Sequence, residues 1–130
     1  MVIDTSALVA LLEDEAAAPE LRTVLAGDPT RFISTVSVLE ATCVLGARRG
    51  SGAVLELSLF LSEFGIQQVA FDGAQMSIAQ RAWLAYGRGR HPARLNFGDF
   101  ASYALAQFRN EPLLFIGDDF GQTDVVTARP

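Results

Sequence analysis

The sequence contains no lysine, and all ten of its basic residues are arginine. This absence excludes mechanisms that need an amine, such as Schiff-base chemistry, P-loop ATP hydrolysis and the lysine-containing phospho-receiver site. Cysteine is nearly absent as well, because Cys43 is the single one. No intrachain disulfide can form, so a small disulfide-stapled secreted fold is excluded and a reducing cytoplasm is the expected location.

Long hydrophobic runs and an excess of positive charge are also missing. The apolar stretch near the start, Ala7 to Leu12, is far shorter than the roughly 20 residues that cross a bilayer. No basic segment precedes it, so export is not expected. Fifteen acidic residues against ten basic ones give a net charge of −5, which argues against the usual basic nucleic-acid binder. The 130 residues, half of them hydrophobic, suffice for one packed domain over residues 1–130.

Short apolar strands alternate with helical patterns along the whole chain. The predicted strands are Val2-Ile3, Phe32-Ile33, Ile66 to Phe71 and Leu113 to Ile116, with a further short one near Val125-Val126. Alternation of this kind predicts a three-layer α/β/α sandwich around a short, mostly parallel sheet.

The helices have recognisable starts and apolar stripes. Four starts are predicted, at Asp4-Thr5-Ser6, at the Ser37-x-x-Glu40 capping box, at Asp72 and at Asn96. Two further helices are predicted over Pro19 to Ala26 and, after a stop at Gly50-Ser51-Gly52, over Val54 to Phe64. The expected core-facing stripes are Met76, Ala79, Trp83 and Tyr86 on one helix, and Phe97, Ala101, Ala104, Leu105 and Phe108 on the next. Cys43, among apolar residues, is expected to be inert core.

Acidic residues recur where predicted strands end or helices begin. They are Asp4, Glu40, Asp99 and the pair Asp118-Asp119. These places share one edge of an open α/β sheet, so we expect the carboxylates to converge. A carboxylate cluster suits Mg²⁺ or Mn²⁺ rather than zinc. Two such ions about 3.5–4 Å apart would support metal-assisted phosphodiester hydrolysis.

Each acid has a simpler interpretation when it is taken alone. Asp4, Glu40 and Asp99 could cap helices or lie in their first turns, which stabilises a helix by typically 0.3–1 kcal/mol. Several such residues need not share one edge of a sheet, however, and mutual repulsion disfavours a cluster of charged carboxylates without a cation. Their coincidence therefore favours a metal site.

Four segments, in this order, resemble PIN-domain ribonucleases, and more narrowly the VapC-like toxins of bacterial toxin–antitoxin pairs. The segments are Met1-Val-Ile-Asp4-Thr-Ser6-Ala-Leu8, Ser37-x-Leu39-Glu40-Ala41, Leu95-Asn-Phe-Gly-Asp99-x-x-x-Tyr103-Ala104 and Leu113-Leu-Phe-Ile-Gly-Asp-Asp119-Phe120-x-x-Thr123-Asp124. The resemblance implies an endoribonuclease that uses Mg²⁺ or Mn²⁺, forms a homodimer and is silenced by an antitoxin. An antitoxin arginine competing for the acids would be physically sensible.

The resemblance also implies roles for individual residues. Asp4, Glu40 and Asp99 match the metal-binding acids, with Asp4 and Asp99 as direct ligands. The family usually has an acid just before a phenylalanine, which favours Asp119 as the fourth acid and leaves Asp118 as the alternative. Only one of the two is expected to face the metal, because adjacent residues leaving a strand point to opposite sides. Ser6 matches a hydroxyl that holds the first aspartate, and an ordinary helix-start serine is the alternative. A lysine or arginine is common in relatives where this chain has Ile116.

A glycine- and arginine-rich loop precedes Asp99, and its side chains are candidates for holding RNA phosphates. They are Arg88, Arg90, His91 and Arg94, called the arginine loop below. The alternative is a solvated loop without a partner, and His91 fits phosphate contact or surface placement better than acid–base catalysis. Two other functions stay open: a binding module without turnover, and a receiver-type phosphoryl transfer that the missing lysine disfavours.

Overall fold

A computed structural model describes residues 1–128. Four parallel strands form one sheet in the order β3-β2-β1-β4. The strands are β1 (Val2–Ile3), β2 (Arg31–Ser34), β3 (Ile66–Val69) and β4 (Leu113–Leu114). The helices are α1 (Thr5–Leu12), α2 (Ala18–Gly27), α3 (Thr35–Arg49), α4 (Ser51–Glu63), α5 (Gly73–Tyr86) and α6 (Phe97–Arg109), and a 3₁₀ turn covers Phe120–Gln122.

Helices cover both faces of this sheet. Successive strand residues point to opposite faces, so Ile3, Ile33 and Leu114 join a core with α1, α2, α3 and α4. Their neighbours Val2, Phe32 and Leu113 join a second core with α5 and α6. The predicted three-layer α/β/α arrangement with a short, mostly parallel sheet is therefore confirmed, and all four strands are parallel. Within residues 1–128, no helix has the length and apolar character needed to cross a membrane.

Strand and helix ends differ from the predictions at several places. β3 ends at Val69 and β4 at Leu114, each two residues early. Near Val125-Val126 there is an isolated parallel bridge between Leu113 and Thr127 rather than a strand. Gly50 alone separates α3 from α4, with φ 80°, and α4 begins at Ser51.

The predicted capping box at Ser37 is wrong. Helix α3 begins three residues earlier than this box predicts, because Ser34 at the end of β2 accepts a hydrogen bond from the Val36 amide at 3.2 Å and caps the helix. Glu40 consequently lies in the second turn of α3 rather than the first. Ser37 is fully buried inside the helix. Cys43 was expected in the core, but α3 presents it to solvent.

The predicted core-facing stripes of α5 and α6 are only partly buried in the structure. Ala79, Ala101, Ala104 and Leu105 are buried as predicted. By contrast, several aromatic and methionine side chains expected in the core are exposed: Met76 by 46%, Trp83 by 50%, Phe97 by 86% and Phe108 by 47%. Small side chains therefore take many of the buried positions on α5 and α6, and these four larger ones lie at the surface.

Candidate active site

The topology creates a crevice at the carboxyl ends of β1 and β4. From β1 the chain adds β2 and then β3 on one side, and it returns to place β4 on the other. This reversal in strand order is where open α/β sheets usually bind ligands. Asp4 directly follows β1, and the segment after β4 leads through Ile116 to Asp118 and Asp119.

Five acidic side chains line one cleft of about 340 Å³ at this crevice, which we call the acidic cleft. Four of them were predicted and come from separate parts of the chain: Asp4, Glu40, Asp99 and Asp119. The fifth is Glu15, an exposed residue just after α1. Asp118, the alternative fourth acid, is exposed and does not line the cleft. Within residues 1–128, no group of three or more acidic, histidine or cysteine side chains is arranged to hold one ion together.

Asp4 is buried and fixed at both of its carboxylate oxygens. Its Oδ2 accepts hydrogen bonds from the Ser6 amide at 2.9 Å and the Ser6 hydroxyl at 2.6 Å. Its Oδ1 accepts one from the Ser102 hydroxyl at 2.6 Å. The Ser6 oxygen in turn accepts the Ile116 amide at 3.0 Å, so Ser6 joins the ends of β1 and β4. Asp4 also caps α1, which means that the capping role and a place in the cleft coexist.

Asp99 lies in the first turn of α6, within a capping box. The Asn96 side chain accepts the Asp99 amide at 3.1 Å, and Asp99 Oδ2 accepts the Asn96 amide at 2.8 Å. These bonds hold one edge of the carboxylate against the helix start. Asp99 still lines the cleft beside Asn96.

Glu40 reaches the cleft from α3 and lies directly against Gly98 of α6. A Cβ atom at position 98 would overlap the Glu40 carboxylate. Glycine at this position therefore leaves the space that the Glu40 side chain occupies.

Residues 1–126 match the family of PIN domains. The chain belongs to the PIN-domain family. It is 49% identical over 128 residues to a ribonuclease VapC of Mycolicibacterium smegmatis, with 98% of this chain and 99% of the relative covered. It is 46% identical over 128 residues to ribonuclease VapC30 of Mycobacterium tuberculosis, with 98% of each covered. The expected family is confirmed, and the chain is a VapC-type ribonuclease of the toxin–antitoxin kind.

Solved structures share the fold of this PIN domain at lower sequence identity. Mycobacterium tuberculosis VapC20, described as a sarcin-ricin loop cleaving toxin, superposes with a TM-score of 0.79 at 20% identity, covering 99% of this chain and 98% of the other. A toxin–antitoxin complex from Klebsiella pneumoniae gives 0.73 at 19% identity, covering 98% and 96%.

The carboxyl groups of this PIN domain disturb one another's ionisation. Burial, together with the charges of Asp4, Asp119 and Glu40, raises the pKa of Asp99 to about 7, although the hydrogen bond from Asn96 opposes the rise. Burial and the charge of Asp4 also raise the pKa of Glu40. Burial is the larger cause of both rises in pKa, and the neighbouring negative charges add to it.

The metal-free PIN domain should consequently gain stability when Asp99 is replaced with Asn. Because the folded-state pKa of Asp99 is about 7 and its ordinary value is 3.8, the folded chain binds this proton more tightly. Protonation of Asp99 therefore stabilises the folded chain fully at low pH, and this stabilisation is lost as the pH rises from about 4 to 7. In EDTA at pH 8 we expect D99N to be more stable by about 1–2 kcal/mol, a Tm rise of roughly 3–6 °C.

Asparagine can still accept the Asn96 amide, so the cap of α6 should survive the D99N substitution. Thermal unfolding at pH 4.5 and pH 8 would measure the effect. A D99N chain that is less stable than wild type at pH 8 would contradict this account of the cleft.

The residues of the cleft fit a hard divalent cation. Every acidic group there offers carboxylate oxygen, the ligand that Mg²⁺ and Mn²⁺ prefer. Mg²⁺ commonly takes only one or two protein carboxylates and retains several waters, so the cleft does not need three converging side chains. PIN-domain ribonucleases of this kind are metal-dependent.

Besides Glu15, three residues near the acids were not anticipated. Arg48 lines the cleft, and helical spacing could have found it, because Glu40, Val44 and Arg48 follow one another at i, i+4 and i+8. The buried hydroxyls of Ser37 and Ser102 lie behind Asp4. No local pattern points to this pair, since 65 residues separate its members.

The arginine loop lies outside the lining of the acidic cleft. The Arg90 guanidinium lies 4.4 Å from the centre of the Trp83 ring. The His91 ring meets Tyr86 edge-on at 5.2 Å, and its Nδ1 accepts the Ala93 amide at 3.1 Å. Any contact between these cations and RNA would therefore lie beside the cleft and not within it.

Proposed function

We propose that residues 1–130 form one PIN-like nuclease domain, which hydrolyses RNA phosphodiester bonds at the acidic cleft with Mg²⁺ or Mn²⁺ as cofactor. Asp4 and Asp99 are the direct ligands, and Glu40 and Asp119 complete the catalytic set. The observation that carries the proposal is that four carboxylates from separate parts of the chain line one cleft at the switch point of the sheet.

A bound divalent cation would supply charge stabilisation and a more acidic water. The chain's own groups do the positioning. Asp4 is held rigidly by Ser6 and Ser102, and Asp99 keeps Oδ1 free because Asn96 engages Oδ2. Burial and the charge of Asp4 raise the pKa of Glu40, which makes its carboxylate a stronger base for taking a proton from water.

We propose that cations around the cleft hold the RNA backbone. Arg48 is the arginine within the lining, and the arginine loop (Arg88, Arg90, His91 and Arg94) would contact phosphates farther along the strand. Arginine suits this task because its guanidinium pairs bidentately with phosphate oxygens.

A cognate antitoxin is proposed as the inhibitor of this site. An antitoxin arginine entering the cleft would pair with carboxylates that otherwise bind metal, and so block the cation. We place both the reaction and its inhibition in the cytoplasm, where RNA and a co-expressed antitoxin would meet the chain.

We propose a second copy of the chain as the occupant of an apolar groove formed by Val36, Met76, Trp83, Phe97 and Phe100. Phe97 protrudes beside a concavity of about 420 Å³ on the same surface. A two-fold interface needs one patch that supplies both knob and hole. Replacing Phe97 with Asp should convert a dimer to a monomer in analytical ultracentrifugation, and a monomeric wild type would contradict the assignment.

The activity is tested with purified, antitoxin-free protein and end-labelled RNA. We expect no cleavage in EDTA, cleavage after Mg²⁺ or Mn²⁺ is added, and a higher Tm with metal. A chain that binds antitoxin but neither cleaves RNA nor gains stability with either metal would instead be a binding module without turnover.

A further inference from the structure

Ser102 holds Asp4 in the mechanism above, but its buried partner Ser37 has no role there. Ser102 is fully buried on α6 and donates to Asp4 Oδ1 at 2.6 Å. Ser37 is fully buried on α3, and its hydroxyl lies 3.1 Å from that of Ser102. These hydroxyls connect α3 and α6, the helices that carry Glu40 and Asp99, to the aspartate at the end of β1.

Proton counting fixes the direction of this connection. A hydroxyl donates one hydrogen bond, and a carboxylate only accepts. Ser102 gives its proton to Asp4, so Ser37 must donate in the contact between the two serines. The chain of bonds therefore runs from Ser37 to Ser102 to Asp4 Oδ1.

A second series of hydrogen bonds ends on the other carboxylate oxygen of Asp4, Oδ2, and its donors also point toward the carboxylate. The Ile116 amide donates to the Ser6 oxygen at 3.0 Å, and the Ser6 hydroxyl donates to Asp4 Oδ2 at 2.6 Å. Hydrogen bonds aligned in series strengthen one another in a buried setting. Both carboxylate oxygens of Asp4 are therefore held by hydrogen bonds, and its side chain cannot rotate without breaking at least one of them.

The number of unused acceptor positions on the Asp4 carboxylate follows from counting its lone pairs. A carboxylate has about four acceptor positions, two on each oxygen. The Ser6 amide and hydroxyl use both on Oδ2, and Ser102 uses one on Oδ1. One position remains, on Oδ1.

We propose that Ser37 and Ser102 are positioning residues, which act in series to present Asp4 Oδ1 as a single-oxygen ligand for a divalent cation. This inference rests on the proposed metal site and deepens it. Neither serine lines the cleft, so both act through Asp4. Loss of such an outer partner typically weakens metal affinity 10–100-fold.

The test is a calorimetric titration of Mn²⁺ into the chelator-treated full chain. We expect S102A to weaken Mn²⁺ binding about tenfold and S37A about threefold. Because Ser37 acts through Ser102, the double variant should bind no more weakly than S102A alone. Unchanged affinity in S102A, or losses that add in the double variant, would overturn the inference.

Two controls separate this result from other causes. Ser34 is also fully buried and has a structural role at the start of α3, so S34A should lower the Tm and leave Mn²⁺ affinity unchanged. Asp4→Asn tests the site itself. If wild type binds Mn²⁺ no better than D4N, the metal site fails together with the inference. If wild type binds and the serine variants match it, the inference alone fails.

Discussion

Replacing Asp4 with Asn should reduce RNA cleavage by more than about 100-fold, beyond the usual cost of losing an outer-shell partner of a metal. The substitution removes the charge of the most completely anchored acid in the cleft. Asparagine is as good a helix cap as aspartate, and its oxygen and amide can still pair with the Ser6 and Ser102 hydroxyls, which can rotate. We therefore expect the loss to be chemical and not structural.

Cleavage of end-labelled RNA by antitoxin-free protein would measure this effect, with circular dichroism and Tm reporting on the fold. Asp14→Asn is a matched control, because Asp14 is exposed, lies outside the cleft and pairs with Arg22 at 2.9 Å. That variant should retain full activity. A D4N chain that cleaves at the wild-type rate would refute the assigned site.

Replacement with Asn should affect the RNA cleavage rate very differently at the neighbouring residues Asp118 and Asp119. Asp119 lines the cleft, and its charge contributes to the raised pKa of Asp99. Asp118 is exposed, and its backbone oxygen accepts the Gly121 amide at 3.1 Å. We expect D119N to lower the cleavage rate by about 10–100-fold and D118N to stay within roughly threefold of wild type.

Side-by-side initial rates for the two variants, at one saturating metal concentration, would decide which residue is the fourth acid. Each substitution removes one charge within the same turn, so the pair controls for net charge. The reverse ranking, with D118N the weaker enzyme, would transfer the role to Asp118.

Local sequence patterns predicted the site acids because strand ends and helix starts are short-range features. Asp4 directly follows a strand, and Asn96 with Asp99 forms a capping box that the structure contains. The same kind of pattern failed at Ser37-x-x-Glu40, because the end of β2 placed Ser34 at the helix start instead. A four-residue motif contains no information on where the preceding strand ends, and the end of that strand decides where the helix begins.

Features that depend on distant residues could not be predicted. The Ser37–Ser102 contact joins α3 to α6, and only the packed structure brings the two hydroxyls together. The exposure of Trp83 and Phe97 has a similar origin. Their hydrophobicity suggested a core position, whereas smaller side chains of the two helices, such as Ala79 and Ala101, are the buried ones.

The net charge of −5 was a misleading guide to partners because it averages over the whole chain. Five of the fifteen acidic residues line the cleft, where bound cations would reverse the local sign. Arginine lies at the edge of the same cleft, at Arg48. The absence of lysine leaves carboxylates, metal and arginine as the available chemistry.

We propose that the acidic cleft binds the cation on which RNA cleavage depends. Calorimetric titration of Mn²⁺ into chelator-treated wild type and D4N, at equal protein concentration and pH 7.5, measures this binding. We expect saturable binding to wild type and at least about tenfold weaker binding to D4N, with the same circular dichroism spectrum. Equal Mn²⁺ affinity in the two proteins would show that the cation does not bind at Asp4.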